Sequence, residues 1–390
     1  MSLYLVAAEA SGDLLAREVA DWVRRKAPGL EIDGIGGAEL AAIGIVSPID
    51  IAPLSVLGFV EGIKAYRDVV RLADLAADDI CRKRPQVAVL VDSWGFMLRV
   101  AQRVRARDPS IRLVKLIGPQ VWATRPGRAR TLAAAVDHLL CMHEIEAPYY
   151  EPHGLKVTVI GNPALTRTVK GDGRAFRDKH EIGDDEPVVL VLPGSRRGEI
   201  ASVAPVLIDA ARRIKDAEPT ARVIVQPAEP VQQAFKDQFP GVAAWAQIST
   251  NPDERYDAMA AATLALACSG TVTSEVAMQG APMIVGYRTG WLTWALARGL
   301  LYKKVHITLL NILNGDREIV PEFVQTRLNA NLITEKALAW LRDPEALKSQ
   351  RSRQALALEQ MIRQGKPAAE IAADAIIAEL ALSQRPVIGT

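Results

Sequence analysis

Val188-Val189-Leu190-Val191-Leu192 runs directly into Pro193-Gly194-Ser195-Arg196-Arg197-Gly198-Glu199. An unbroken apolar run of β-formers reads as a parallel strand with both faces covered. Gly194 lets backbone come close to a ligand. Ser195 is placed to cap the helix expected from Glu199, whose free N–H groups and dipole attract an anion. Arg196 adds a guanidinium fork able to grip a phosphate at two points. An ordinary strand–turn–helix with surface arginines fits the same letters, so the neighbouring sequence has to decide.

A chain of 390 residues, 49% apolar and 24% charged, has the composition of a globular protein long enough for two cores. A net charge of +2 is too small to imply nucleic acid as a partner. Cys81, Cys141 and Cys268 show no CxxC spacing, which fits a reducing compartment. The five histidines show no ligand spacing either, so no metal is expected. The N-terminus starts a strand at once, without the basic region and apolar core of a signal peptide. No window approaches the ~20 apolar residues of a spanning helix.

Strand-like and helix-like segments alternate along the chain. Leu3–Ala7, Leu30–Ile35, Gln86–Val91, Ile111–Ile117, His138–Met142 and Val157–Ile160 read as strands, with helices over Leu14–Arg25, Ala38–Ile43, Val60–Cys81, Phe96–Ala106 and Arg125–Ala135. After a polar linker, Thr166–Gly173, the alternation restarts. Strands are expected at Val188–Leu192, Arg222–Gln226, Trp245–Ile248, Leu264–Ala267 and Met283–Val285, with a helix at Ala201–Lys215 among those between them. The pattern predicts an α/β chain of two Rossmann-like, doubly wound domains facing a cleft, with a helical C-terminal tail. The expected divisions are 1–165, 166–345, and helices over 346–382 that pack back on the first domain or on a partner subunit.

Ala267-Cys268-Ser269-Gly270-Thr271-Val272-Thr273-Ser274-Glu275 is a second strand–turn–helix. Ser269, Gly270 and Thr271 offer donors to a phosphate. Glu275, one turn into the helix, is placed to accept two ribose hydroxyls. A plain helix cap followed by a surface Glu fits this stretch alone. Two such loops in one Rossmann-like half point to a nucleoside-diphosphate site.

With these residues in view, the chain resembles the lipid-A-disaccharide synthase family, glycosyltransferases of the two-Rossmann GT-B fold. The resemblance covers nearly the whole chain. It rests on the order and spacing of Ala8-Glu-Ala-Ser-Gly-Asp13, Gly34-Ile-Gly-Gly37, Leu57-Gly-Phe-Val-Glu61, Val91-Asp92, Pro119-Gln-Val-Trp-Ala123 with Arg125, Leu192-Pro-Gly-Ser-Arg196, Ser269 to Glu275, Pro282 to Arg288, and Asn311 running on to Gln325. It implies inverting transfer of diacylglucosamine from UDP-diacylglucosamine to diacylglucosamine phosphate (lipid X), giving the β-linked disaccharide and UDP. On that resemblance Gly194, Ser195, Arg196, Ser269, Gly270 and Thr271 meet the diphosphate, and Glu275 holds the ribose. Asn311 and Gln325 fall where the family places donor contacts. Asp92 matches the family's essential aspartate, the general base, although the position equally suits a cap for the helix after Ser93. Glu9, Ser11, Asp13 and Trp122 fall on the acceptor side; Ser11 or Asp13 would also serve to cap the helix from Leu14. No cofactor or metal is implied, since arginine and helix termini can neutralise the diphosphate. The resemblance further implies a cytoplasmic protein peripherally attached to the inner membrane, and a homodimer with exchanged C-terminal parts.

The acceptor half departs from the family pattern. Ser93-Trp94-Gly95-Phe96 replaces Ala/Ser-Pro-Asp/Glu-Phe. Gly118-Pro119-Gln120-Val121-Trp122-Ala123-Thr124-Arg125 replaces Ser-Pro-Ser-Val-Trp-Ala-Trp-Arg, and Gly161-Asn162 replaces Gly-His. The donor motifs are better kept. Another UDP-sugar transferase, a UDP-sugar epimerase or hydrolase, and a non-catalytic UDP-sugar-binding protein are the competing readings. Leu54–Val60, leading to Lys64 and Arg67, and Trp291–Lys304 are the candidate membrane-contact stretches, which buried core or a dimer contact would explain as well.

Overall fold

Short apolar runs recur at the spacing of a strand and its crossover helix, and they become parallel strands. The computed structural model of the chain describes residues 1–51, 54, 62–290, 305–359, 361 and 366–383, the side chains of 62–66 excepted. Two compact units result, Met1–Thr166 together with the segment carrying helix Ala368–Leu382, and Arg167 to the end of helix Pro344–Glu359 and its following turn. Each holds a six-stranded sheet whose neighbouring strands all run parallel.

In the first unit β1 (Ser2–Ala7), β2 (Glu31–Ile35), β3 (Val87–Val91), β4 (Arg112–Leu116), β5 (His138–Cys141) and β6 (Lys156–Val159) take the order β2-β1-β3-β4-β5-β6. Leu3 pairs with Val87 and Ala7 with Val91, so β1 and β3 end level. Alternate residues feed opposite cores, as a period of two requires. Leu3, Leu5, Val87 and Val89 pack under helices Ala10–Lys26 and Ala368–Leu382. Tyr4, Val6, Ala88 and Leu90 pack under helices Gly62–Lys83 and Trp94–Arg107. The strand order reverses between β1 and β3, where an open α/β sheet presents a ligand crevice.

The C-terminal helix Ala368–Leu382 is tied to this sheet by charge as well as by its alanine face. Fully buried Glu379 meets Arg112 Nε at 2.7 Å, Lys156 Nζ at 2.8 Å and His138 Nδ1 at 3.0 Å. Burial alone would raise the Glu379 pKa; contacts with His138, Lys156 and Arg112 outweigh it and bring the value down to about 2. Lys26 joins Glu370 and Asp374 at 2.9 and 2.6 Å.

The second unit carries β7 (Val188–Leu192), β8 (Arg222–Val225), β9 (Gln247–Ile248), β10 (Leu264–Cys268), β11 (Met283–Tyr287) and β12 (Glu322–Val324), ordered β12-β11-β10-β7-β8-β9. Its reversal lies between β7 and β10. The strand β12 has no counterpart among the sequence expectations, because three residues are too few to show a period. The helix expected over 201–215 is two helices, Arg197–Ser202 and Ala204–Ala217, divided where Pro205 enters the first turn of the second. Helix Pro344–Glu359 stays in this unit, where Gln354 accepts from Met283 N–H at 3.0 Å and donates to the Ala281 carbonyl at 2.8 Å.

Among the described residues no helix is long and apolar enough to cross a membrane. The membrane-contact candidates 55–60 and 291–304 lie outside the described residues, as does Val60 of the expected helix.

Glu379→Ala is expected to cost about 3 kcal/mol, the scale of removing one member of a buried charge cluster. Its folded pKa is depressed, so its contribution is complete above the unfolded carboxylate value and fades as pH falls towards about 2. Urea melts at neutral pH and near pH 3 should show the gap between wild type and variant narrowing in acid; a constant gap contradicts the charge cluster.

Candidate functional site

Every loop of interest follows the C-terminal end of a strand. In the second unit Gly194 and Ser195 after β7, and Ser269, Gly270 and Thr271 after β10, line one cavity of about 400 Å³. That size lies within the ~300–1,000 Å³ of small-molecule sites. Gln226 after β8, Ser249 and Asn251 after β9, and Arg255 complete much of its polar wall.

The turn after β7 is built by Glu199. Gly194 has φ +125, and a Cβ there would stand 2.6 Å from the Glu199 Cβ. Only glycine fits. The Glu199 carboxylate accepts from Ser195 N–H at 2.8 Å and Arg196 N–H at 3.2 Å. The helix is therefore capped from Arg196, not Ser195, and the anion at its N-terminus is the protein's own carboxylate. The Ser195 and Arg196 amides are therefore already occupied, and a phosphate there would meet the Arg197 and Gly198 amides instead. Beside them are the Ser195 hydroxyl and the Arg196 guanidinium, whose side chain is 80% exposed and rests 3.2 Å from Glu199.

The turn after β10 is more open. Ser269 N–H donates to the Gly286 carbonyl at 3.1 Å. The N–H groups of Gly270 and Thr271 donate to no backbone carbonyl among the described residues. A Cβ at Gly270 would meet nothing within 4 Å. Helix Val272–Met278 follows, with Thr271 at its cap position but no side-chain capping bond. Glu275 pairs with Arg255, which lines the cavity. Burial raises the Glu275 pKa, and Arg255 and Tyr256 oppose that rise.

Asn311 and Gln325 serve the fold. The fully buried Asn311 amide donates to the Val320 carbonyl and Glu322 Oε1, both at 2.8 Å, and accepts from Ile319 and Val320 N–H. All its hydrogen-bonding capacity is used. Gln325, at φ +56, exchanges both bonds with the backbone of Thr289. Neither residue lines the cavity.

In the first unit Asp92 directly follows β3 with φ +50, and Ser93 comes next at φ +36. Two left-handed non-glycine residues in succession are strained and are held only where their surroundings enforce it. Helix Trp94–Arg107 is capped at position 93 with no side-chain hydrogen bond, so Asp92 is not its cap. Beneath the turn lies Lys115, 1% exposed near the C-terminal end of β4. Its ammonium donates to the Leu90 carbonyl at 3.2 Å, the Leu116 carbonyl at 3.3 Å and the Asp92 carbonyl. Burial pulls its pKa down to about 7, while the charges of Asp92 and Glu9 oppose that fall. Lys115 is absent from the sequence-derived candidates, although a lysine inside Arg112-Leu-Val-Lys-Leu116 is conspicuous in a buried strand.

Glu9, Ser11 and Asp13 surround the end of β1. Helix Ala10–Lys26 is capped at Glu9, so Ser11 and Asp13 do not cap it. Asp13 instead accepts from Gly37 N–H at 2.9 Å and Glu39 N–H at 2.8 Å, capping the next helix, Ala38–Ala42. A Cβ at Gly12 would reach the Asp92 Cβ at 3.9 Å, so the loops after β1 and β3 touch. Glu9, Ser11 and Asp13 line a second cavity with Ser47 and Asp50. Trp122 is buried, and its indole N–H has no partner among the described residues.

A family model described as lipid-A-disaccharide synthetase matches residues 3–377 of this chain. The lipid-A-disaccharide synthase of Ruegeria pomeroyi is 34% identical over 393 residues, covering 97% of this chain and 96% of the relative. That of Paramagnetospirillum magneticum is 34% identical over 386 residues, with 97% of each covered. Among solved structures, the UDP co-structure of S. aureus MnaA superposes with a TM-score of 0.63 at 14% identity, covering 99% of this chain and 98% of that one. A UDP-N-acetylglucosamine 2-epimerase from Neisseria meningitidis bound to UDP-GlcNAc gives 0.56 at 14% identity, covering 98% of this chain and all of that one. At such identities the likeness is one of fold, here the two-sheet GT-B architecture.

A lysine whose folded pKa lies below its unfolded ~10.4 contributes stability that grows as pH rises between the two values. The stability of wild type relative to Lys115→Met should therefore increase from about pH 7 to about pH 9, an interval inside that window. Urea melts at both pH values measure it; a gap that stays constant or shrinks contradicts the buried ammonium.

Proposed function

The chain belongs to the lipid-A-disaccharide synthetase family and is a glycosyltransferase, and from that premise we propose that it transfers diacylglucosamine from UDP-diacylglucosamine to lipid X. The observation that carries the reading is the meeting of loops 194–195 and 269–271 on one cavity in a chain of this family. The second unit takes the UDP-sugar and the first the acceptor. An acceptor hydroxyl attacks the anomeric carbon of the donor. The new C–O bond forms as the bond to the diphosphate oxygen breaks, with inversion, and the hydroxyl proton passes to the Asp92 carboxylate. UDP leaves with the bonding electron pair.

The departing diphosphate needs positive charge and hydrogen-bond donors. The Arg196 guanidinium, the hydroxyls of Ser195, Ser269 and Thr271, and the amides of Gly270 and Thr271 supply them. Glu199 keeps the first loop in shape and leaves Arg196 able to turn from a 3.2 Å contact onto the phosphate. Glu275, already partnered by Arg255, is the ribose contact. The arrangement calls on no cofactor or metal. Acylated substrates reside in a bilayer, so the reading includes peripheral contact with the inner membrane from the cytoplasmic side. The homodimer with exchanged C-terminal parts enters through the family resemblance alone.

Asp92→Asn is expected to retain UDP affinity and to lose turnover by ~100-fold or more, the usual scale of a lost general base. Calorimetry with UDP beside a turnover assay separates the two; undiminished turnover removes Asp92 as the base. Arg196→Ala should weaken UDP binding by ~10-fold or more, as loss of a charge-assisted pair implies. Unaltered UDP affinity would sink the diphosphate assignment.

A further inference from the structure

Arg125 and Arg128 share one tight turn after β4. The Arg128 N–H donates to the Arg125 carbonyl at 3.0 Å, so the two side chains leave the backbone three residues apart on a closed loop. Arg125 is exposed and held at φ +51, a left-handed conformation that costs energy for any residue carrying a β-carbon. Arg128 is half-buried, with its guanidinium carbon 5.3 Å from the Trp94 ring centroid. Trp94 opens the helix that begins two residues after Asp92.

Arginines nearby show the ordinary alternative. Arg103 and Arg105 each bind a carboxylate, Asp74 and Asp137. For Arg128 burial lowers the pKa and the Arg125 charge lowers it further; no carboxylate among the described residues offsets either. A cation brought into a half-buried place beside a second cation, with no acid among the described residues between them, is an arrangement that favours a bound anion. The cation–π contact with Trp94 helps hold a guanidinium whose planar fork can grip a phosphate at two points.

We propose that Arg125 and Arg128, the latter in cation–π contact with Trp94, form a phosphate-monoester site that binds the phosphate of the acceptor. The proposal rests on the reading of the first unit as the acceptor side. Trp94 then orients the fork that holds the acceptor while Asp92 faces its hydroxyl. The phosphate becomes a determinant of acceptor choice. An anionic lipid headgroup offers the same chemistry, and the test separates the two sources.

Calorimetry of the full-length protein with glucosamine 1-phosphate and with glucosamine reads the site without turnover. Wild type should bind the phosphorylated sugar, and R125A/R128A should weaken that binding by ~10-fold or more while leaving UDP affinity unchanged, as loss of charge-assisted bonds implies. R125E, at an exposed position, provides a second variant if the double one does not fold and should give the same loss. In the transfer assay the acceptor KM should rise for the phosphorylated acceptor and not for its dephosphorylated form. Sugar-phosphate binding unchanged in the variants overturns the proposal. So does loss of binding to phosphatidic acid vesicles, relative to phosphatidylcholine vesicles, with glucosamine 1-phosphate binding intact. If Asp92→Asn proves fully active, the acceptor-side reading fails, and the calorimetry still decides whether the two arginines hold a phosphate.

Discussion

Both sheets are parallel and covered on both faces, and that constraint governs where anything chemical can happen. β3, β7 and β10 are buried along their whole length, so no side chain within them can reach a substrate. Chemistry has to be delivered in the first few residues beyond each strand's C-terminal end. Asp92, Gly194 and Ser269 all occupy such positions. Their neighbours fall together because the strand order reverses between β1 and β3 in one unit and between β7 and β10 in the other. At those reversals two loops diverge and leave room that adjacent crossovers would otherwise fill.

Buried charge does the finer shaping. Glu199 folds under the Gly194 turn and takes the Ser195 and Arg196 amides, which fixes the shape of that turn. Lys115 plays the corresponding part beneath Asp92: its ammonium gathers the carbonyls of Leu90, Asp92 and Leu116 and steadies a turn made of two strained residues. Glu322 does so again beneath Asn311, accepting from Ile307 N–H at 2.9 Å and Thr308 N–H at 2.7 Å. Each ion costs desolvation, and each is answered by several hydrogen bonds to backbone rather than by one counter-charge.

The strands were the legible part of the sequence. Val188–Leu192 coincides with its apolar run to the residue, since both faces need the same chemistry and the run ends at proline. The strands of the first unit likewise fall within their expected runs, give or take one residue at an end. Glu322–Val324 escaped because it is short and begins with a buried glutamate. The capping roles were harder to read. Asp13 and Glu199 each satisfy backbone amides that depend on tertiary placement or on a positive φ, and no local pattern assigns the partner. Asn311 shows the same dependence on tertiary placement: its side chain bonds the 319–320 backbone and Glu322, partners no local pattern names. The family resemblance stood on the order of many motifs, which is why it agreed with the family match despite the substitutions around Trp94 and Gln120.

The proposed division of labour between the two units leads to one demand: breakdown of the donor should wait for the acceptor. The measurement that tests it most directly is release of UDP from UDP-diacylglucosamine with and without lipid X. Release that begins only when lipid X is added, with the disaccharide formed in equal amount, is the predicted result. UDP released at the same rate without acceptor would make the protein a hydrolase, and donor binding with no release in either case would make it a binding protein; either outcome contradicts the account.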